Sequence, residues 1–236
     1  MVNGNGTIEM TLPAPKLPQH PFKEPPARDD FDDDELALPW NFLRNPYEGD
    51  FSLTARPGYL CLNGSAVTLN DQDSPAFVGR RQTDFDCVAS TLLEFDPNSE
   101  NEEAGLVLRG FDKFHYEIGV TLRQGKRQVF FRKVLKGETI KPVQYVDVHP
   151  GPVILSVKAS PLSYEFSCQS STGAREVLGT ALTKDLSVEK IGFAHGMCFT
   201  GVYFGMYATG NGQKSTSPAD FDWFEYNRRK NESKEQ

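Results

Sequence analysis

The ten residues "FHYEIGVTLR" alternate without a fault. Phe114, Tyr116, Ile118, Val120 and Leu122 fall on one face, and His115, Glu117, Gly119, Thr121 and Arg123 on the other. Successive side chains of a strand point to opposite faces, so this spacing predicts a half-buried antiparallel strand. "CVASTLLEF", "AGLVLRG", "QVFFRKVL", "PVILSVKA", "SYEFSCQS", "EKIGFAHG", "GVYFGMYA" and "FDWFEYN" read as further strands. Turn chemistry separates them in "DPNSENEE", "RQGKR", "HPGP", "SSTG" and "TGNGQKSTSP". In "YLCLNGSAVTL" the pair Asn63-Gly64 stands between two short apolar runs, a hairpin signal. No long segment carries a helical stripe. Roughly ten to thirteen strands without crossover helices predict an all-β fold of two packed antiparallel sheets. The fold class is a β-sandwich of jelly-roll or lectin-like type with little helix. No repeat of fixed period occurs, which disfavours a propeller contained in this chain.

The 236 residues suffice for one sizeable core. Residues 11–28 hold six prolines and suit neither a helix nor a central strand. Residues 1–27 are therefore expected to form an extended connector, 28–227 the sandwich, and 228–236 a polar charged tail. "DDFDDDELALPW" reads as a solvated acidic turn followed by an apolar segment anchored by Trp40.

A net charge of −7 argues against a phosphate-tracking surface, and the densest basic cluster, "NRRK", sits in the tail. No nucleic-acid partner is expected. No run reaches the roughly eighteen apolar residues of a membrane helix, so no membrane partner is expected either. The first residues show no basic n-region and no apolar h-region. The default compartment is cytoplasmic, or secreted if an upstream part carries the address. Cys61, Cys87, Cys168 and Cys198 each lie in an apolar run and read as core thiols. The four histidines show no metal-ligand spacing.

Sandwiches that cleave glycans often carry Glu-x-Asp-x-Glu on one strand, which sets the carboxylates on one face. That triple is absent. The acidic clusters "RDDFDDDE" and "NSENEE" lie in turn-like contexts. In "ADFDWFE", Asp220 and Asp222 share one strand face and Phe221 and Trp223 the other. Asp29, Asp30 and Asp222 would suit a structural calcium if the first and last strands meet; plain surface carboxylates are the competing reading. No nucleophile elbow and no glycine-rich phosphate loop is present.

Six fragments in order, "RDDFDDDELALPWNFLRNP", "FSLTARPGYLCLNGS", "SPAFVGRRQTDF", "EEAGLVLRG", "CFTGVYFGMYATG" and "ADFDWFEYN", resemble one known domain. It is the C-terminal sandwich of glycoside hydrolase family 43 enzymes of the β-xylosidase and α-L-arabinofuranosidase type. The resemblance covers Arg28 to Asn227 and implies a concanavalin A-like fold. "VNGNGTIEM" and the prolines after it are similar to the exit from that family's five-bladed propeller. In the family the propeller carries three catalytic carboxylates, and none is recognised in this chain. The resemblance implies a propeller catalytic domain as partner and a xylo-oligosaccharide or arabinoside as substrate.

It also implies a role for Phe199 in "MCFTG", between two stretches read as core strands. In the family, a sandwich loop lends an aromatic side chain to the rim of the substrate pocket, and Phe199 matches by motif. The competing reading makes Phe199 an ordinary core residue. Two other readings of the chain stand beside the accessory domain. A free-standing glycan-binding module would need a row of solvent-facing aromatics, for which Tyr116 and Phe130 are candidates that equally suit a core. A self-contained enzyme would need its own pair of converging carboxylates.

Overall fold

The computed structural model describes residue 18 and residues 26–170, 173–196 and 201–229. They form two antiparallel sheets packed face to face. The eight-stranded sheet runs in the order β12 (Glu176–Leu182), β11 (Ser163–Ser170), β10 (Val153–Ala159), β5 (Cys87–Glu94), β14 (Pro218–Arg228), β3 (Leu60–Asn63) and β2 (Phe51–Ser52). Its eighth strand, β1 (Arg28–Asp29), pairs with β14. The six-stranded sheet runs β4 (Ala76–Arg81), β13 (Tyr203–Thr209), β6 (Glu103–Phe111), β7 (Phe114–Arg123), β8 (Lys126–Leu135) and β9 (Glu138–Asp147). The two-sheet antiparallel sandwich expected from the alternation, concanavalin A-like as the resemblance implies, is thus the fold observed.

The two inner faces interdigitate. Leu155, Phe166, Phe221 and Phe224 from one sheet meet Leu106, Tyr116, Ile118, Phe131 and Met206 from the other, all buried. Phe131 stacks on Phe166 across the interface at 4.4 Å between centroids. Trp40 seals one edge with its ring 5.0 Å from Phe224, which makes it the anchor its segment suggested. Cys61, Cys87 and Cys168 are free and buried, as expected of core thiols; Cys198 lies outside the described residues. Gln124-Gly125 and Lys136-Gly137, all at positive φ, close the β7–β8 and β8–β9 hairpins as two-residue turns.

Four expectations need correction. "EKIGFAHG" is not a strand but most of a helix, α1 (Val188–His195). Ser187 caps it by accepting the Lys190 N–H, and Ile191 packs against Gly110 of β6. Asn63-Gly64 does not turn a hairpin, since β3 pairs with β2 and β14 and the next strand belongs to the other sheet. Gly64 is needed for closeness, because a Cβ there would sit 2.8 Å from the Thr209 backbone. β7 is not half-buried: His115 and Glu117, on its polar face, are as buried as its apolar residues. The cause is a second layer of chain from Leu43 and Leu69, packed with Phe77, Val107 and Tyr207 on the outer face.

The fourth correction concerns β14. Its register shifts between Phe221 and Trp223, a bulge that inserts Asp222. Phase is lost there, so Phe221 and Phe224 enter the core while Trp223 turns outward under the Arg28 guanidinium, 4.5 Å away. The Thr91 hydroxyl donates to the Trp223 carbonyl at 2.6 Å and holds the bulge. Phe221→Ala is expected to cost about 3–5 kcal/mol by leaving a core cavity. Trp223→Ala is expected to cost less, about 1–2 kcal/mol, from a half-buried ring and one cation–π contact. Urea unfolding of both variants checks the register; equal losses would place Trp223 in the core.

Candidate functional site

Phe199 itself lies outside the described residues, as does all of 197–200. Its frame is described. α1 ends at Gly196, with φ 86°, whose N–H donates to the Gly192 carbonyl at 2.9 Å. The chain is described again from Gly201, with φ 70°, a conformation that favours glycine. Val202 is then tied to the sandwich by the Gln82 N–H at 2.9 Å, and β13 begins at Tyr203 with the Arg81 guanidinium 4.8 Å over its ring. The described residues on either side of 197–200 are thus the end of α1 and the start of β13, each bordered by a glycine at positive φ.

The outer face of the six-stranded sheet holds a buried polar network absent from the sequence expectations. Arg132 on β8 donates to both Glu117 oxygens, at 3.1 and 2.6 Å, and to both Glu103 oxygens, at 3.2 and 2.8 Å. The Tyr207 hydroxyl donates to Glu117 at 2.8 Å, and His115 Nε2 lies 3.0 Å from its other oxygen. Burial opposes ionisation of Glu117, but the Arg132 charge and the His115 hydrogen bond overcome it and hold the carboxyl far below its usual range. Burial and the adjacent Glu117 charge push the Tyr207 phenol up. These five residues neutralise one another beneath the covering loops, with only His115 Nδ1 among them buried and unpartnered, and the network holds the layer together.

On the opposite outer face, Arg56 bridges Glu94 and Asp220, at 2.9 Å each, and its guanidinium covers the Tyr59 ring at 3.5 Å. The first and last strands do meet, as β1 on β14. Asp29, however, accepts from the Trp40 indole at 2.7 Å and the Phe31 N–H at 3.0 Å, and Asp30 pairs with Arg28 at 2.6 Å. Burial pushes the Asp222 carboxyl up. Asp29, Asp30 and Asp222 thus do not make a cation cage; among the described residues no cluster of three or more such ligands forms. Tyr116 and Phe130 are both buried: Tyr116 donates to the Leu182 carbonyl at 2.9 Å, and Phe130 lies beneath Tyr145 and Arg132. Neither contributes to a solvent-facing aromatic row. Among the described residues, no helix is long and apolar enough to cross a membrane.

Residues 28–227 match the family described as "Beta xylosidase C-terminal Concanavalin A-like domain". The chain is 45% identical over 225 residues to the non-reducing end alpha-L-arabinofuranosidase BoGH43B of Bacteroides ovatus, covering 95% of this chain and 41% of the relative. It is 34% identical over 227 residues to a xylan 1,3-beta-xylosidase of Vibrio sp, covering 93% and 41%. A crystal structure of xylan beta-1,4-xylosidase from Bacillus halodurans superposes with a TM-score of 0.85 at 30% identity, covering 95% of this chain and 44% of that one. The chain thus spans about two fifths of the relatives it matches.

A second buried carboxylate ties the loops at one end of the sandwich. Glu102 accepts from the Asn98 N–H at 2.6 Å and from the Thr216 N–H and hydroxyl at 2.6 and 3.0 Å. Burial alone would raise its pKa, but these donors bring it down to about 2. Such a group stabilises the fold fully above its unfolded value, near 4.5, and loses that contribution as pH falls toward 2. Glu102→Gln is expected to cost about 1–3 kcal/mol at pH 7. Its unfolding free energy should also fall less steeply than wild type between pH 4.5 and 2. Urea titrations at several pH values check this; identical acid slopes would contradict it.

Proposed function

The chain belongs to the β-xylosidase C-terminal concanavalin A-like domain family, and on that membership we propose that it is the accessory domain of a glycoside hydrolase. The enzyme acts on xylan-type or arabinose-bearing oligosaccharides. The sandwich packs on a propeller catalytic domain and lends Phe199 to the rim of its substrate pocket. The observation that carries the reading is the share of the relatives that the chain matches. It aligns with about two fifths of enzymes named as an arabinofuranosidase and a xylosidase, and the matched family is a C-terminal one.

The frame of the Phe199 segment supports the finer part. Gly196 and Gly201 both take positive φ, a conformation that favours glycine and suits a sharp change of chain direction. An aromatic ring carried there can pack on a sugar face and exclude water from a pocket. α1 and β13 stand on either side of it as regular elements, a frame suited to holding a pocket residue in place.

The test joins this chain to the catalytic region of the Bacteroides ovatus relative and compares wild type with Phe199→Ala. Loss of the ring should remove about 2 kcal/mol of packing from the bound sugar, a roughly thirty-fold fall in kcat/KM on an aryl arabinofuranoside or xyloside. The thermal midpoint should stay within about 2 °C. Unchanged kinetics, or a fall in stability with kinetics intact, would return Phe199 to the core.

A further inference from the structure

One end of the sandwich carries an apolar cleft of about 650 Å³ that none of the preceding chemistry uses. Its walls come from three separate segments: the Gln82–Phe85 turn after β4, the Pro161–Leu162 turn before β11, and Leu182–Val188, which runs from β12 into α1. Phe85 is 74% exposed, Leu162 80%, Leu182 48% and Val188 37%. These are four of the nine large hydrophobic side chains exposed among the described residues, gathered at one place. Scattered exposed hydrophobics are ordinary, whereas a contiguous patch around a cleft marks an interaction surface.

The floor is rigid. Tyr164 is buried and its hydroxyl donates to the Gln82 side chain at 2.9 Å, while the Tyr116 hydroxyl holds the Leu182 carbonyl. The rim carries few charges, with Asp84 turned to Arg228 at 2.6 Å and to the Tyr226 hydroxyl. A surface of this make-up recognises another apolar protein face rather than an ion or a nucleic acid.

The path of the chain identifies that face. β1 runs antiparallel to β14, so the backbone traced back from Arg28 passes Tyr226, whose N–H donates to the Ala27 carbonyl at 2.7 Å. The Tyr226 hydroxyl in turn receives the N–H groups of Thr83 and Asp84, at 3.1 and 3.0 Å. Arg229 is bonded to the Asp86 carbonyl at 2.9 Å. The polypeptide therefore enters the sandwich beside Tyr226, whose hydroxyl reaches the Thr83–Asp84 turn, and that same turn is a wall of the cleft. More than half of each matched relative lies outside the match, and the family is a C-terminal one, so the remainder precedes this entry point. Gly201 and Val202, at the end of the Phe199 segment, also line the cleft.

We infer that this cleft is the seat of the catalytic domain that precedes the sandwich in the same polypeptide, with Phe85 and Leu162 as its two anchors. The inference rests on the accessory-domain reading and adds the surface by which the two domains lock. Linkage in one chain gives the docking face a high effective concentration, so a modest apolar patch suffices.

Hydrogen exchange tests it, on the 236-residue chain alone and joined to the catalytic region of the Bacteroides ovatus relative, with hydrolysis of an aryl arabinofuranoside followed in parallel. Amides of 83–85, 162–164 and 184–188 should slow at least tenfold on joining. Phe85→Asp with Leu162→Asp should abolish that protection and lower hydrolysis at least tenfold. Both side chains are exposed, so the thermal midpoint of the isolated chain should not move. Protection elsewhere, with hydrolysis indifferent to the two substitutions but still dependent on the sandwich, overturns the surface and leaves the accessory-domain reading standing. No protection, and hydrolysis indifferent to the whole chain, overturns both. Protection that appears in the isolated chain as its concentration rises, or only on adding xylo-oligosaccharide, overturns the inference in favour of a second copy or a glycan.

Discussion

Arg132, held between Glu103 and Glu117 beneath a layer of loops, is the interaction on which the six-stranded sheet depends. An antiparallel sheet ordinarily keeps one wet face, but here β6, β7 and β13 are buried on both. A carboxylate in that position is tolerable only if paired and fully hydrogen-bonded, and Glu117 receives Arg132, Tyr207 and His115 together. The cover is brought close by glycines. A Cβ at Gly205 would meet the Phe77 ring at 2.0 Å, and one at Gly79 at 2.5 Å, so Phe77 lies flat over a groove that only glycine leaves open. With that face closed and the inner face packed, the sandwich is a stiff body that gathers four of its exposed large hydrophobic side chains around a cleft at one end.

The interior of this fold is legible in the sequence, and its margins are not. β7 and β10 sit among partners on both sides, and their alternation survives in the residues. β4, β9 and β12, which the pattern does not reveal, each pair on one side only. β9 is largely exposed and carries Pro142, so it has little apolar face to announce it. α1 is eight residues long, too short for a stripe, and its signal was the capping Ser187 rather than any periodicity. The bulge at Asp222 shifted Trp223 outward because a period of two cannot anticipate an inserted residue.

The site divides in the same way. Gly196 and Gly201 stand in the sequence as possible hinges, and the structure gives both the left-handed backbone that role needs. The polar network and the cleft were hidden, because each draws residues from segments far apart in the chain. Only the charged residues in the midst of "FHYEIG" and "VFFRKV" hinted that two strand faces had to neutralise each other.

On the function proposed above, family membership, the two glycine turns and the apolar end belong to one design: a rigid sandwich that completes another domain. The direct measurement is hydrolysis of aryl xyloside and arabinofuranoside by the catalytic region of the Bacteroides ovatus relative, titrated with this chain, with the chain alone as control. The account predicts no turnover by the chain alone and a saturable rise when it is added. Turnover by the isolated chain, or a catalytic region indifferent to it at every concentration, would contradict the account.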